Sequence, residues 1–274
     1  MTTNLLLIHP LLASNAAVFA IKNATPEGQI TVIVLLLLSL FSWTIILTKF
    51  RQLLIARQAA KRFYAAYAAT RDPLDIQRKG EAFDGSPAYH LYIRGADELA
   101  YQLKNNPVPV SAKPVAGGEA ATTTKVSAAS FDAIRVILEE AAGAQAMALE
   151  KGMIVLSTAV AGGPFIGLLG TVWGVMSTFA SIAEANSASL TTMAPGVAAA
   201  LVATVTGLLV AIPAMFAYNF MVTSIRAITQ ELDGFASRYA NQIEHVYVDH
   251  RPLSEEIRDA NEVLANRITS ALNR

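Results

Sequence analysis

The stretch "GGPFIGLLGTVWGVMSTFAS", residues 162–181, decides how this chain is read. It lies inside a run from Gly152 to Ala183 that contains no charged residue. About 20 apolar residues suffice for a helix to cross a bilayer, so the run reads as a membrane span. Yet it carries Gly162, Gly163, Gly167, Gly170 and Gly174, and also Pro164. Glycine costs a helix about 1 kcal/mol relative to alanine. So many in one span need a reason, and their spacing supplies one.

At 100° per residue, Gly163, Gly167, Gly170 and Gly174 follow one another at intervals of four, three and four. They form a narrow stripe, which Ser177 and Ser181 extend. Phe165, Leu168, Leu169, Val172, Val175, Met176 and Phe179 occupy the opposite face. In lipid, hydrophobicity cannot drive helices together, and small residues matter because they let backbones approach. The run after it repeats the pattern. Gly196, Ala200, Ala203, Gly207, Ala211 and Ala214 share one face, and Leu201, Val205, Leu208, Ile212 and Met215 another. Two successive small-faced helices predict either a compact three-helix bundle or an oligomer whose small faces surround a separate element.

Three uncharged runs are long enough to span: 28–48, 152–183 and 193–225. Basic residues cluster after the first (Lys49, Arg51, Arg57, Lys61, Arg62), before the second (Lys151) and after the third (Arg226). The connector at 184–192 has no Lys or Arg. The positive-inside rule therefore puts the N-terminus and that connector outside, and residues 49–151 and 226–274 in the cytoplasm. Residues 1–27 lack a basic n-region, and His9-Pro10 breaks their apolar run. We read them as a periplasmic segment, an amphipathic helix on the membrane surface, rather than a signal peptide.

The fold class is an all-α membrane protein, three transmembrane helices extended into a cytoplasmic helical bundle. Helical spacing covers much of 49–104. Residues 105–125, rich in Pro, Gly, Ala and Thr, read as a flexible insertion. From Ser127 a helical pattern resumes and predicts one long helix running on into the second span.

Composition agrees: 53% hydrophobic, 15% charged, mean hydropathy +0.41. Lys+Arg and Asp+Glu both number 21, which gives no basic surplus for nucleic acid. With no cysteine and four histidines at unhelpful spacing, neither a metal site nor a thiol nucleophile is expected. No catalytic constellation is present, and we expect neither an enzyme nor a cofactor. Two polar residues stand out instead. Thr171 lies beside the glycine stripe, and Thr204 borders the alanine/glycine stripe. A membrane threonine is often bonded only to its own helix; two at matched depth point to a polar patch on a lumen.

These residues carry a resemblance. "GGPFIGLLGTVWGVMSTF" followed by "APGVAAALVATVTGLLVAIPAMFAYN" is similar to the ExbB/TolQ/MotA proton-channel family, above all its ExbB and TolQ branches. The resemblance implies a pentameric stator in the bacterial inner membrane. Five copies would enclose two helices of an ExbD- or TolR-like single-span partner bearing a membrane Asp. Proton flow would then energise a TonB- or TolA-like periplasm-spanning protein. By match to the motif, Thr171 and Thr204 take the places of the lumen threonines. One departure stands out: where ExbB and TolQ commonly read Ala-Glu-Ala-Leu, this chain reads Ala198-Ala199-Ala200-Leu201. Alanine at 199 leaves room for a divergent motor, sodium-driven or of gliding type. The readings that compete with a motor are a self-contained transporter and a passive scaffold. Three spans without an ionisable group fit the transporter poorly, and a scaffold needs no threonine pair.

Overall fold

The computed structural model describes residues 25–111, 122–185 and 189–249, with isolated helical positions at 258, 261, 265, 268 and 269. The expectations for residues 1–24 lie outside the described residues, as do 112–121 of the insertion and 186–188 of the connector. The protein is an all-α membrane protein with one short hairpin. In chain order its elements are α1 (Pro26–Ala68), α2 (Asp75–Lys79), α3 (Pro87–Asn105), β1 (Val108–Ser111), β2 (Thr122–Lys125), α4 (Ala128–Glu150), α5 (Met153–Ala185) and α6 (Leu190–Tyr247). Helices α1, α5 and α6 are long and apolar enough to cross a membrane. The chain divides into a membrane unit, residues up to 54 plus 148–227, and a charged helical unit, 55–147 plus 228 onward.

Local chemistry sets the helix ends. Thr25 caps α1, its Oγ1 accepting from the Gly28 N–H at 3.4 Å, with Pro26 and Glu27 in the first turn. That turn leaves N–H groups without intrahelical partners, so a hydroxyl acceptor and a carboxylate both suit it. Ser86 caps α3 in the same way, accepting from the Tyr89 N–H at 3.2 Å, with Pro87 next.

The structure corrects one expectation. Residues 127–183 are not one helix: α4 stops at Glu150 and α5 starts at Met153. Gly152 separates them with φ +87°. A left-handed conformation costs an L side chain about 1–2 kcal/mol, so the break falls on the one residue type that adopts it freely. The C-terminal end of α4 is held by α1. Lys49, only 7% exposed, donates from Nζ to the Leu149 carbonyl at 3.0 Å and the Ala148 carbonyl at 3.5 Å. These are carbonyls that a helix end leaves unpaired, and a cation suits them. Residues 112–121 of the 105–125 insertion lie outside the described residues. Its flanks pair as antiparallel strands, Val108 opposite Lys125 and Ser111 opposite Thr122. β-branched Val108 and Thr124 suit that pairing.

The helical unit is organised by aromatic rings. Phe63 is fully buried and meets Phe83, Tyr89 and Phe235 edge-on at centroid separations of 5.7, 5.8 and 5.3 Å. Phe235 stacks with Tyr239 at 5.8 Å, and Tyr239 is pushed well above the ordinary phenol range by burial. The turn after α1 is tied to the end of α6: the Tyr247 hydroxyl bonds both Asp72 carboxylate oxygens at 2.8 and 2.9 Å. Arg78 completes an ion pair with Asp72 at 2.6 Å. Burial alone would raise the Asp72 carboxyl. The Leu74 N–H, the Tyr247 hydroxyl and Arg78 outweigh it and hold the group below its ordinary value.

Two outcomes are expected. Phe63→Ala removes the ring shared by these contacts and should cost about 3–5 kcal/mol, read as a lower midpoint of thermal unfolding in detergent. Because the Asp72 pKa is lower folded than unfolded, its contribution is present above its ordinary value of 3.8 and lost as pH falls through the folded value. Unfolding midpoints measured from pH 6 to pH 3 should therefore fall less steeply for Asp72→Asn than for the parent.

Candidate functional site

The glycines of α5 face α6 of the same chain. A Cβ placed on Gly163 would stand 3.1 Å from the Gly207 carbonyl oxygen, and one on Gly167 would stand 3.0 Å from that of Ala203. On Gly170 it would meet the Ala203 Cβ at 2.6 Å, and on Gly174 the Ala200 Cβ at 2.7 Å. From the other side, a Cβ on Gly207 would lie 2.6 Å from the Gly163 oxygen, and one on Gly196 would collide with the Thr178 hydroxyl. Ala200, Ala203, Ala211 and Ala214 are buried. The bulky faces point away: Phe165, Leu168, Met176, Leu201 and Val205 are each more than half exposed. The two small stripes are therefore one seam within the chain. Helix α1 closes over part of it, Thr31 Cγ2 standing 3.0 Å from where a Gly170 Cβ would be.

The polar pair sits on this seam. The hydroxyls of Thr171 and Thr204 are hydrogen-bonded to each other between α5 and α6. Both also reach one carbonyl, that of Gly167, Thr171 from its own helix at 3.1 Å and Thr204 across the seam at 3.3 Å. Close approach explains this. Gly167 has no side chain to shield its carbonyl, and the Thr204 Cα would lie 3.2 Å from a Cβ there. Each hydroxyl has one proton and two lone pairs. The pair and the shared carbonyl thus form a cluster of three neutral oxygens holding two protons. By rotation it can donate to an anion, accept from a protonated acid, or offer oxygens to a hard cation. Thr206 differs: its hydroxyl donates to the Val202 carbonyl at 2.8 Å, within its own helix. Ala199 is half-buried beside Ala200 and adds neither charge nor hydrogen-bonding capacity.

Several polar contributors escape a reading of the sequence alone. Thr31 is 4% exposed and Thr178 is 5% exposed, each with its hydroxyl bonded back to its own helix, to Glu27 and Gly174 respectively. In the sequence Lys49 is one of a basic cluster; its burial against the α4 end has no sequence signature. Among the described residues no group of acids and histidines could hold a metal ion.

Fold and site together define a multi-pass α-helical membrane protein in which a closely packed helix pair carries a hydroxyl cluster in an uncharged span. Residues 112–234 match the MotA/TolQ/ExbB proton channel family. The Tol-Pal system protein TolQ of Haemophilus influenzae is 28% identical over 215 residues, 77% of this chain and 86% of TolQ. The biopolymer transport protein ExbB of Xanthomonas campestris pv. campestris is 31% identical over 205 residues, 71% of this chain and 78% of that protein. TolQ of Pseudomonas aeruginosa is 31% identical over 200 residues, 73% and 80% respectively. The chain belongs to the MotA/TolQ/ExbB proton channel family.

The seam makes a graded prediction. Gly170→Ala or Gly174→Ala should each destabilise by about 1–3 kcal/mol, because the nearest facing atom is an alanine Cβ, joined at Gly174 by backbone, and neither can swing aside. Gly162→Ala, with nothing within 4 Å of the new methyl, should be neutral or stabilising. Thermal unfolding of the three variants in one detergent tests this; equal midpoints for Gly162→Ala and Gly170→Ala would count against it.

Proposed function

We propose that this chain is the stator subunit of a proton-driven motor of the bacterial inner membrane. Five copies enclose the two single-span helices of an ExbD/TolR-like partner, whose membrane aspartate supplies the carboxylate these spans lack. Proton passage turns the partner within the ring and energises a TonB- or TolA-like protein that crosses the periplasm. The N-terminus lies on the periplasmic side and the charged helical unit in the cytoplasm, as the distribution of Lys and Arg favours. Family membership supports this reading, as do relatives named for biopolymer transport and the Tol-Pal system.

The observation that carries it is the Thr171–Thr204 hydroxyl pair in spans without an ionisable residue. A proton relay through a membrane generally needs Asp, Glu or His. Hydroxyls alone do not supply the charge, but they can hold and orient a carboxylate that does. Ala199 favours a second reading, in which sodium is the driving ion. Hydroxyl and carbonyl oxygens suit a partly dehydrated hard cation, and no carboxylate from this chain competes.

In liposomes the chain alone should pass no protons above the leak, and the chain with its partner should. Thr171→Val and Thr204→Val keep the shape and remove the hydroxyls. An interhelical hydrogen bond in a membrane is worth about 0.6 kcal/mol, at most about 1.7, so both variants should assemble like the parent. They should nonetheless lose partner-dependent flux, while Thr206→Val keeps it. Full flux in the two former variants overturns the role given to the pair. Flux that follows a sodium gradient and ignores a proton gradient selects the second reading.

A further inference from the structure

The membrane unit contains a cleft of about 410 Å³ between the start of α5 and the outgoing part of α6, away from the threonine pair. Its walls are Met153 and Ile154 from α5, and Val222 and Ile225 from α6. The exposed Glu150 and Arg226 also line it, as does Ser157. We propose that this cleft binds the headgroup of a phospholipid with an ammonium group, its phosphodiester on Arg226 and its ammonium on Glu150. The inference does not depend on the motor reading.

Arg226 is the first charge after the third apolar run, and Glu150 and Lys151 are the last before the second. Lys49, the first charge after the first run, bonds the Leu149 carbonyl. The three spans thus run out of apolar residues at one level, where a bilayer changes from acyl chains to headgroups. The cleft straddles that level, apolar on the span side and charged where the apolar runs end. An amphiphile at an interface has the same order.

Glu150 and Arg226 are both exposed and line one cleft, yet neither makes an ion pair or a side-chain hydrogen bond within the described chain. The half-buried Tyr218, also in the lining, likewise has no partner for its hydroxyl. One acid, one base and one phenol suit a ligand carrying both signs. An anionic headgroup would satisfy Arg226 but set its negative charge beside Glu150. A quaternary ammonium would keep the attraction to Glu150 but have no N–H to donate. A primary ammonium with a phosphodiester satisfies both charged groups, and the volume is within the range of about 300–1,000 Å³ typical of ligand sites.

The test uses full-length protein in detergent, titrated with phosphatidylethanolamine, phosphatidylglycerol or phosphatidylcholine of identical acyl chains. Lipid retained per chain is counted by native mass spectrometry. The parent should retain phosphatidylethanolamine best. Arg226→Gln should weaken its retention about tenfold, the loss expected for a charge-assisted hydrogen bond, and Arg226→Lys less so. Glu150→Gln should move the preference to phosphatidylglycerol. Ser157 lines the cleft from α5, so Ser157→Phe, which fills the cleft and leaves both charges in place, should reduce retention of all three lipids. The proposal is overturned if these variants keep phosphatidylethanolamine as the parent does, or if the parent retains the three lipids equally. It is also overturned if the variants change only the oligomer mass, since a second copy would then be the occupant. Glu150→Gln and Ser157→Phe decide the matter by themselves should Arg226→Gln fail to fold.

Discussion

Everything in the membrane unit depends on how closely the α5 and α6 backbones approach. A single methyl on Gly170 or Gly174 would lie 2.6–2.7 Å from an alanine Cβ on α6, well inside van der Waals contact. Lipid is as apolar as the side chains it surrounds, so helices in it gain from packing rather than from escape from solvent. The glycines cost helix propensity and return interhelical contact. The same approach brings Thr204 within reach of the Gly167 carbonyl. With larger residues in the seam, the two hydroxyls would each turn back to their own helix, as the Thr206 hydroxyl does. The polar cluster is thus a consequence of the small stripe.

That dependence explains why so much of the membrane unit is legible in the sequence. Residue size at a period of 3.6 identifies which faces meet, and the absence of charge marks where the spans lie. Thr171 and Thr204 stand at the borders of the two stripes, so matching the stripes brings the hydroxyls together. What the sequence hides depends on backbone conformation or on a third partner. Gly152 looks like the glycines that follow it, which all sit comfortably inside a helix; only its φ of +87° distinguishes it. Thr31 reads as one polar residue in an apolar run, and its burial over Gly170 depends on how α1 rests on the pair. The hairpin is hidden by composition: Pro109 and the nearby glycines signal a loop, while the β-branched residues that pair are split by residues 112–121.

The helical unit follows different rules, since water rather than lipid is its solvent. Its core is built from large aromatic rings, Phe63, Tyr92, Phe235 and Tyr239, buried together. Where α5 and α6 use the smallest residues to gain contact, this unit uses the largest to remove area from water, which is favourable roughly in proportion to apolar surface. Helices α1 and α6 each contribute to both units, the boundary falling after Leu54 and after Ala227. One continuous helix therefore changes its packing chemistry along its length: Gly207, Ala211 and Ala214 on the membrane part of α6, then Leu232, Phe235 and Tyr239 on the part in water.

That change also bears on where the chemistry of an ion can occur. Among the described residues two charged groups are tied into bonded structure, Asp72 with Tyr247 and Arg78, and Lys49 with the end of α4. Neither bonds Thr171 or Thr204, whose partners are each other and the Gly167 carbonyl. The spans hold hydroxyls, carbonyls and apolar surface, and their bulky faces are exposed. A cluster of neutral oxygens can orient a charge and lower the cost of its partial dehydration, but it cannot carry a proton through a span unaided. On the proposed motor reading the site is chemically incomplete within one chain, and a partner's carboxylate supplies the charge along the seam at the level of Gly167.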